Sequence, residues 1–253
     1  MKLFDLTGQT ALVTGSSMGI GFALARGLAQ AGARVVINAR NPEKLEEARQ
    51  SLAGEGYDIE TLSFDVTDAQ AAKLAIDKFE LEKGPISILI NNAGMQFRTP
   101  LEEYPVETFD HLMRTNVNSI FYVSQPVAKH MIARGYGKIV NIASVQTAMA
   151  RPGIAPYTTS KGAVANLTKG MATDWAKHGL TCNAIAPGYF DTPLNAALVA
   201  DPEFCAWISK RTPTGRWGQI DELVGACIFL TSPASSFVNG QTIFVDGGMT
   251  ACL

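Results

Sequence analysis

The sequence predicts an α/β architecture: one doubly wound domain spanning residues 1–253, with a seven-stranded parallel sheet and helices on both faces. Three observations carry this prediction. Short β-branched apolar runs alternate with longer stretches of helical period. Apolar residues make up 47% of the 253 residues and charged residues only 17%, a balance suited to strands buried on both faces. No internal repeat, low-complexity tract or linker divides the chain.

The elements follow in order. TALVT (10–14) is the first strand, and the glycine-rich turn after it opens the helix GFALARGLAQA, which Gly32 stops. RVVIN (34–38) is the second strand, and Asn41 before Pro42 is a cap followed by a first-turn proline, the signature of a helix start. IETLSF (59–64), ISILINN (86–92), GKIVNIA (137–143), LTCNAIA (180–186) and QTIFVDG (241–247) complete the sheet. Six helical segments lie between these strands, as right-handed crossovers require. The stretch from Gly188 to Gly218 fits no simple strand-helix-strand step. Long insertions at the C-terminal ends of strands carry function, so residues 188–218 are expected to form a substrate-side lid.

Composition narrows the function. The net charge is −2 and no Lys/Arg run occurs, so neither nucleic acid nor an anionic membrane is expected as a partner. The opening MKLFDLTGQTALVTG lacks the apolar core and cleavage site of a secretion signal, and no window reaches membrane-spanning length. Cys182, Cys205, Cys227 and Cys252 form no C-x-x-C, and His111, His130 and His178 have no metal-ligand spacing. Reduced, mostly buried thiols, a cytoplasmic location and no metal are expected.

Two motifs carry chemistry. In TGSSMGIG, Gly15, Gly19 and Gly21 follow the first strand and open a helix, so the chain turns tightly and presents backbone N–H groups to a pyrophosphate. In PYTTSKGAV, Tyr157 and Lys161 lie four residues apart, one helical turn, and so share a face. A free phenol titrates near pH 10 (about 10 in model peptides), and a neighbouring ammonium would favour its ionised form. Ser144, just past the fifth strand, can donate a hydrogen bond to the same substrate oxygen, as an oxyanion-hole donor does.

These motifs, with Asp65 after the third strand, NNAG at 91–94, Asn116, Ser144 and APG at 186–188, resemble the short-chain dehydrogenases/reductases over nearly the whole chain. The resemblance implies a Rossmann-type fold and hydride transfer between a nicotinamide cofactor and an alcohol or ketone. It implies that Tyr157 is the acid/base, that Lys161 also holds the nicotinamide ribose, that Asn116 holds a water in a proton relay, and that Ser144 binds the reacting oxygen. Carried over motif by motif, it assigns cofactor contacts to Gly15, Ser17, Met18, Gly19, Ile20, Gly21, Asn38, Arg40, Asp65, Val66, Asn92, Ala93, Gly94, Tyr157, Lys161, Pro187 and Gly188.

The second strand ends VVINARN, without the acidic residue that binds a ribose 2′-hydroxyl. Asn38 would not repel a 2′-phosphate and Arg40 could pair with one, so NADP is expected over NAD. NNAGMQFRTPLEE, ASVQTAMARPGIAPYTTSKGAV, NAIAPGYFDTPL and KRTPTGRWGQIDELVGACIFL are similar to the branch of the family that interconverts D-gluconate and 5-keto-D-gluconate. That branch commonly has a second arginine where Phe97 stands and an acidic residue near Ala148 or Met149, departures that point to another polyol or sugar acid as the alternative. Arg98 is the expected partner of a substrate carboxylate, with Arg151 second, and Ser144, Gln146 and Tyr157 are expected to line the same pocket. A 3-oxoacyl carrier-protein reductase shares the catalytic motifs, but the basic residues are dispersed rather than gathered into a groove for an acidic carrier. A non-catalytic NAD(P) sensor could dispense with Tyr157, Lys161 or Ser144, and all three are present. The family implies a homotetramer, and the uncharged FVDGGMTACL fits burial at a subunit contact.

Overall fold

The structure is a computed structural model that describes residues 2–252, without the side chain of Leu194. Seven parallel strands form one sheet: β1 (Thr10–Val13), β2 (Arg34–Ile37), β3 (Ile59–Thr61), β4 (Ile88–Asn91), β5 (Gly137–Ile142), β6 (Leu180–Pro187) and β7 (Thr242–Val245). Their order is β3-β2-β1-β4-β5-β6-β7. The direction of winding reverses between β1 and β4, so a crevice opens beyond the carboxyl ends of these two strands, where ligands of doubly wound sheets bind.

β1, β4, β5 and β6 are buried at every position, which explains why they read as largely apolar rather than alternating, with Asn141 and Asn183 as buried polar residues within them. One face packs on α1 (Gly19–Gln30), α2 (Pro42–Gly54) and α9 (Val224–Thr231), with Leu24, Leu28, Leu52 and Leu230 in the core. The other packs on α3 (Ala69–Glu82), α5 (Ser119–Arg134) and α6 (Ala155–Trp175), with Ile76, Phe79, Val127 and Met171. The cap signals act as the sequence predicts. Asn41 accepts a 2.9 Å bond from the Lys44 N–H, and Gly32 takes φ +98° just past α1.

Three differences from the sequence reading have physical causes. β3 covers three residues, because beyond Thr61 the backbone carbonyls of Leu62 and Phe64 turn to accept bonds from the Asn38 side chain. The fourth crossover, which reads as one helix, is α4 (Val106–Met113), a π-helical turn at Arg114–Asn118, and α5. Only two of the four thiols are deeply buried: burial pushes Cys182 and Cys227 up to about 12, whereas Cys205 and Cys252 are partly exposed.

Residues 188–218 leave the C-terminal end of β6 and carry α7 (Ala196–Val199) and α8 (Pro202–Arg211). The two ends of this excursion meet. Phe190 pairs with Gly218 in a parallel bridge, the Gly218 N–H donates to Tyr189 O (2.9 Å), and the Asp191 N–H donates to Gly218 O (3.1 Å). A side chain at 218 would run into the Phe190 ring. Tyr189, Phe204, Trp207 and Trp217 form an aromatic cluster with ring centroids 5.3–6.1 Å apart.

A buried polar ladder fixes the helix that carries Tyr157 and Lys161. The Asn91 amide donates to Ser124 Oγ and to Asn141 Oδ1, both at 2.8 Å, and the Asn141 amide donates to Thr168 Oγ1 at 2.9 Å. β4, β5, α5 and α6 are thereby tied at one depth. Each orphaned buried polar group costs about 1–3 kcal/mol. Asn141→Ala leaves one Asn91 N–H without its acceptor and Thr168 Oγ1 without its donor, while Asn91 keeps Ser124 and the Thr168 hydroxyl keeps Val164 O, so the urea midpoint should fall by the equivalent of about 1–3 kcal/mol; an unchanged midpoint would show that the ladder does not hold α6.

Candidate active site

The turn after β1 is shaped for a phosphate. Gly15 and Gly19 both adopt φ +60°. A Cβ on Gly15 would lie 2.8 Å from the Ala93 Cα, so only glycine lets the β1 and β4 turns approach this closely. Met18, extended and half exposed, precedes α1 and makes no side-chain cap. The first N–H groups of α1, those of Gly19, Ile20 and Gly21, have no partner within the helix and point out of its N-terminus, where the dipole favours an anion. Ser17 is partly exposed beside them, whereas the Ser16 hydroxyl turns inward to Val13 O at 2.7 Å. The pyrophosphate of a nicotinamide dinucleotide fits this cradle, which offers uncapped helix donors and two positive-φ glycines.

The cradle is braced by a residue the sequence reading left out. The Thr14 hydroxyl accepts bonds from the Asn92 and Ala93 N–H groups (3.0 and 3.1 Å), while the Asn92 amide donates to Thr14 O and Gly15 O, both at 2.9 Å. Asn92 thus clamps the glycine turn from the neighbouring strand. The signal was the threonine of VTG, which reads as an ordinary strand residue without its partner 78 positions away.

At the end of β2 the structure assigns Asn38 to bracing. It is buried, its amide donates to Leu62 O (2.8 Å) and Phe64 O (3.2 Å), and its Oδ1 accepts a 3.4 Å bond from the Gly15 N–H. Its side chain is thus engaged by backbone groups on three sides. Arg40, two residues on, is exposed and joins no ion pair among the described residues. Asp65 accepts from the Thr67 N–H and hydroxyl (both 2.8 Å); burial raises its pKa, but these bonds and the nearby Arg40 and His111 bring it below the ordinary carboxylate value. Val66 is buried behind it.

The second cluster lies between the carboxyl ends of β4 and β5 and the start of α6. Lys161 is buried, with Nζ 5.6 Å from the centre of the Tyr157 ring. Its ammonium donates to Ile142 O at 2.7 Å, and burial pushes its pKa down to about 8. Ser144 stands beside the Tyr157 hydroxyl. Burial raises the phenol's pKa and outweighs the lowering by the Ser144 hydrogen bond and by Arg98. The sequence reading expected Lys161 to lower the phenol's pKa. In the folded chain desolvation dominates, and the ammonium is engaged by a backbone carbonyl. Gly94 sits against this pair: a Cβ there would be 3.4 Å from Asn116 Oδ1 and 3.9 Å from Lys161 Nζ.

Asn116 falls in the π turn, where the backbone departs from α-helical pairing as it often does at functional sites. Its side chain is fully committed: Oδ1 accepts from the Met95 N–H (2.8 Å), and the amide donates to Met95 O (2.9 Å) and Ser160 Oγ (3.0 Å). Ser160 in turn donates to Tyr157 O at 2.7 Å. Sequence spacing could not reveal this link between α4–α5 and α6. On the far side, Pro187 ends β6 and the Gly188 N–H donates to Val245 O at 2.9 Å, seating the start of the insertion.

Two arginines stand at the edge of this cluster: Arg98 acts on the phenol, and Arg151 acts on Arg98. Arg98 donates to Gln96 Oε1 (2.9 Å) and, across to the insertion, to Asn195 Oδ1 (3.4 Å). Arg151 lies over the Phe204 ring at 5.2 Å. Neither forms an ion pair among the described residues, whereas Arg26, Arg34, Arg49, Arg134 and Arg216 all pair with carboxylates. Burial and the charge of Arg151 both lower the pKa of Arg98, so the guanidiniums sense each other's field. Gln146 is buried nearby with an unpartnered Oε1. Among the described residues no cluster could hold a metal ion, and no helix is long and apolar enough to cross a membrane.

Comparison with known proteins agrees with this geometry. Residues 15–250 match the family model described as enoyl-(acyl carrier protein) reductase. The chain is 60% identical to the gluconate 5-dehydrogenase of Gluconobacter oxydans over 251 residues, 99% of this chain and 98% of that protein. It is 47% identical to the 5-keto-D-gluconate 5-reductase of Escherichia coli K12 over 247 residues, covering 98% and 97%. The crystal structure of a Burkholderia cenocepacia gluconate 5-dehydrogenase in complex with NADP and tartrate superposes with a TM-score of 0.98 at 55% identity, covering 100% and 99%. With a glycine cradle at the sheet crossover and a tyrosine-lysine pair beside it, the chain belongs to the short-chain dehydrogenase/reductase family of NAD(P)-dependent oxidoreductases.

Proposed function

We propose that this enzyme interconverts D-gluconate and 5-keto-D-gluconate with NADP(H), the reduction being the direction the phenol is poised for. One observation carries the substrate class: Arg98, which acts on the phenol, and Arg151, which acts on Arg98, are neighbouring guanidiniums without carboxylate partners among the described residues, so the pocket wants an anion. The names of the similar gluconate enzymes support the particular sugar acid. A neutral thioester substrate would leave both guanidiniums uncompensated, which argues against the carrier-protein reductase reading.

In the mechanism, bound NADPH supplies the hydride. Tyr157, kept protonated by its raised pKa, gives its proton to the developing alkoxide. Ser144 donates to the same oxygen and stabilises its charge. Lys161 keeps most of its positive charge at pH 7, which favours the phenolate left behind and would hold the nicotinamide ribose. The Asn116 side chain is fully bonded, so the water it would hold for the relay belongs on backbone freed by the π turn. Gly15, Ser17, Met18, Gly19, Ile20, Gly21, Asp65, Val66, Asn92, Ala93, Gly94, Pro187 and Gly188 would line the cofactor groove. Exposed Arg40 supports a preference for NADP over NAD.

Residues 188–218 act as the lid over the substrate. We further read the protein as a cytoplasmic homotetramer. The apolar side chains exposed on α4 and α5, Phe109 and Phe121, and the half-buried edge strand β7 give surface for subunit packing.

The direct test is reduction of 5-keto-D-gluconate with NADPH and with NADH. The wild type should favour NADPH, and Tyr157→Phe should bind the cofactor normally while turnover falls at least ~10²-fold; full activity in that variant would refute the assignment. Arg98→Leu should raise KM for the keto acid roughly tenfold, the scale of a lost charge-assisted hydrogen bond, and leave KM for NADPH unmoved. An unchanged keto-acid KM would remove Arg98 from the substrate site.

The pH dependence has a definite sign. Lys161 in the folded chain loses its proton as pH rises through about 8, well before its unfolded counterpart. The burial penalty is therefore present below that pH and is lifted above it, while the positive charge available to a bound dinucleotide disappears. NADPH affinity, read by fluorescence titration from pH 7 to 9.5, should weaken through this range in the wild type. In Lys161→Met it should be weak and flat; a parallel decline in the variant would assign the titration to another group.

A further inference from the structure

We infer that the lid, through Phe204 and Tyr189, sets the charge selectivity of the active site by aiming Arg151 at the substrate carboxylate. The inference rests on the sugar-acid reading and names the residues that make it. Arg151 lies in the loop after β5, but the two aromatic groups against its guanidinium, Phe204 and Tyr189, belong to the insertion. Phe204 of α8 carries the guanidinium on its ring face at 5.2 Å, and the Arg151 group lies against the Tyr189 hydroxyl, where it lowers a phenol that burial otherwise raises.

Neither support moves freely. Phe204 is wedged between Tyr189 (5.7 Å), Trp207 (5.3 Å) and Trp217 (6.1 Å), and Tyr189 is edge-on to both tryptophans at 6.0 and 5.8 Å. The aromatic stack is a rigid shelf, and a planar cation laid on such a face keeps its in-plane N–H groups for a planar anion.

The guanidinium is also unfinished. Its Nε is buried with no hydrogen-bond partner, and no carboxylate among the described residues neutralises it. A buried donor left unpaired is unfavourable until something accepts from it. Arg98 lies close enough to repel Arg151, and one anion shared by them would relieve both. Arg98 is itself hydrogen-bonded to Asn195 of the lid at 3.4 Å. Arg98 is held mainly by Gln96 of its own loop, at 2.9 Å, so the lid's grip is strongest on Arg151. Phe204 and Tyr189 are positioning residues: they act on the substrate through Arg151.

The test compares 5-keto-D-gluconate with an uncharged six-carbon ketose, using NADPH. Phe204→Leu keeps the apolar bulk and removes the ring face. It should lower kcat/KM for the keto acid roughly tenfold, through KM, and change that for the neutral ketose by less than about threefold. Phe204→Trp should restore the acid preference. Tyr189→Phe, which keeps the stack and removes only the hydroxyl, should shift the acid-to-neutral ratio in the same direction and leaves a readout if Phe204→Leu folds poorly. Equal losses on both substrates, or an acid preference untouched in Phe204→Leu and Tyr189→Phe, would overturn the inference while leaving the sugar-acid function standing. A wild type that prefers the neutral ketose would overturn both.

Discussion

The buried ammonium of Lys161 is the constraint around which the active edge is organised. A cation out of water needs a partner, and the one within reach is the carbonyl of Ile142 at the end of β5. That bond sets how far α6 slides along the sheet. The backbone carbonyl of the same lysine accepts a 3.1 Å bond from the Thr147 hydroxyl, which joins α6 to the loop carrying Ser144. One residue earlier, Ser160 ties α6 to Asn116. The phenol, the serine and the π turn are placed relative to one another because all three hang from the helix segment that this charge locates.

The same burial works against the chemistry and for it. Desolvation makes Tyr157 a weaker acid and Lys161 a stronger one than in water. The two shifts reverse the usual order of the pair and set the values apart: the phenol holds its proton at a pH where the lysine can already yield its own. A cationic partner entering the crevice changes that balance more than it would in solvent, because screening is poor there. The scaffold supplies sensitivity to charge, and the groups that come and go supply the charge.

Much of this was legible in the sequence, and the rest was not, for a physical reason. The central strands, buried on both faces, announce themselves as β-branched, largely apolar runs, and the partly buried edge strands β3 and β7 share that composition. Local signals were equally direct: Asn41 before Pro42, Gly32 after α1, and the four-residue step from Tyr157 to Lys161. What could not be read were pairings between side chains far apart in the chain. Thr14 clamps Asn92, Asn38 reaches Leu62 and Phe64, and Asn116 reaches Ser160. Each is a polar residue whose role depends on a partner that periodicity does not point to. Asn38 shows the consequence: by position it reads as a ribose contact, whereas its amide is needed to close the end of β2 against β3. The π turn was hidden for another reason, since RTNVN has no composition that departs from an ordinary helix.

The bridge between Phe190 and Gly218 has an implication for how such enzymes diversify. Because the two ends of the excursion are joined to each other before they rejoin the sheet, the 27 residues between them form a closed loop. Closure entropy grows slowly with length, about 0.6 kcal/mol for each doubling. A segment of another length could be grafted onto the same base provided it kept the seat this one has on the rest of the chain, Ile208 against Val145 and Met249 and the Arg211 guanidinium on Met249 O at 3.0 Å. The insertion is in this sense a cassette with a fixed footing: redesign of which carbonyl compound is accepted would change its upper part together with Arg98 and Arg151, the residues it meets across the pocket.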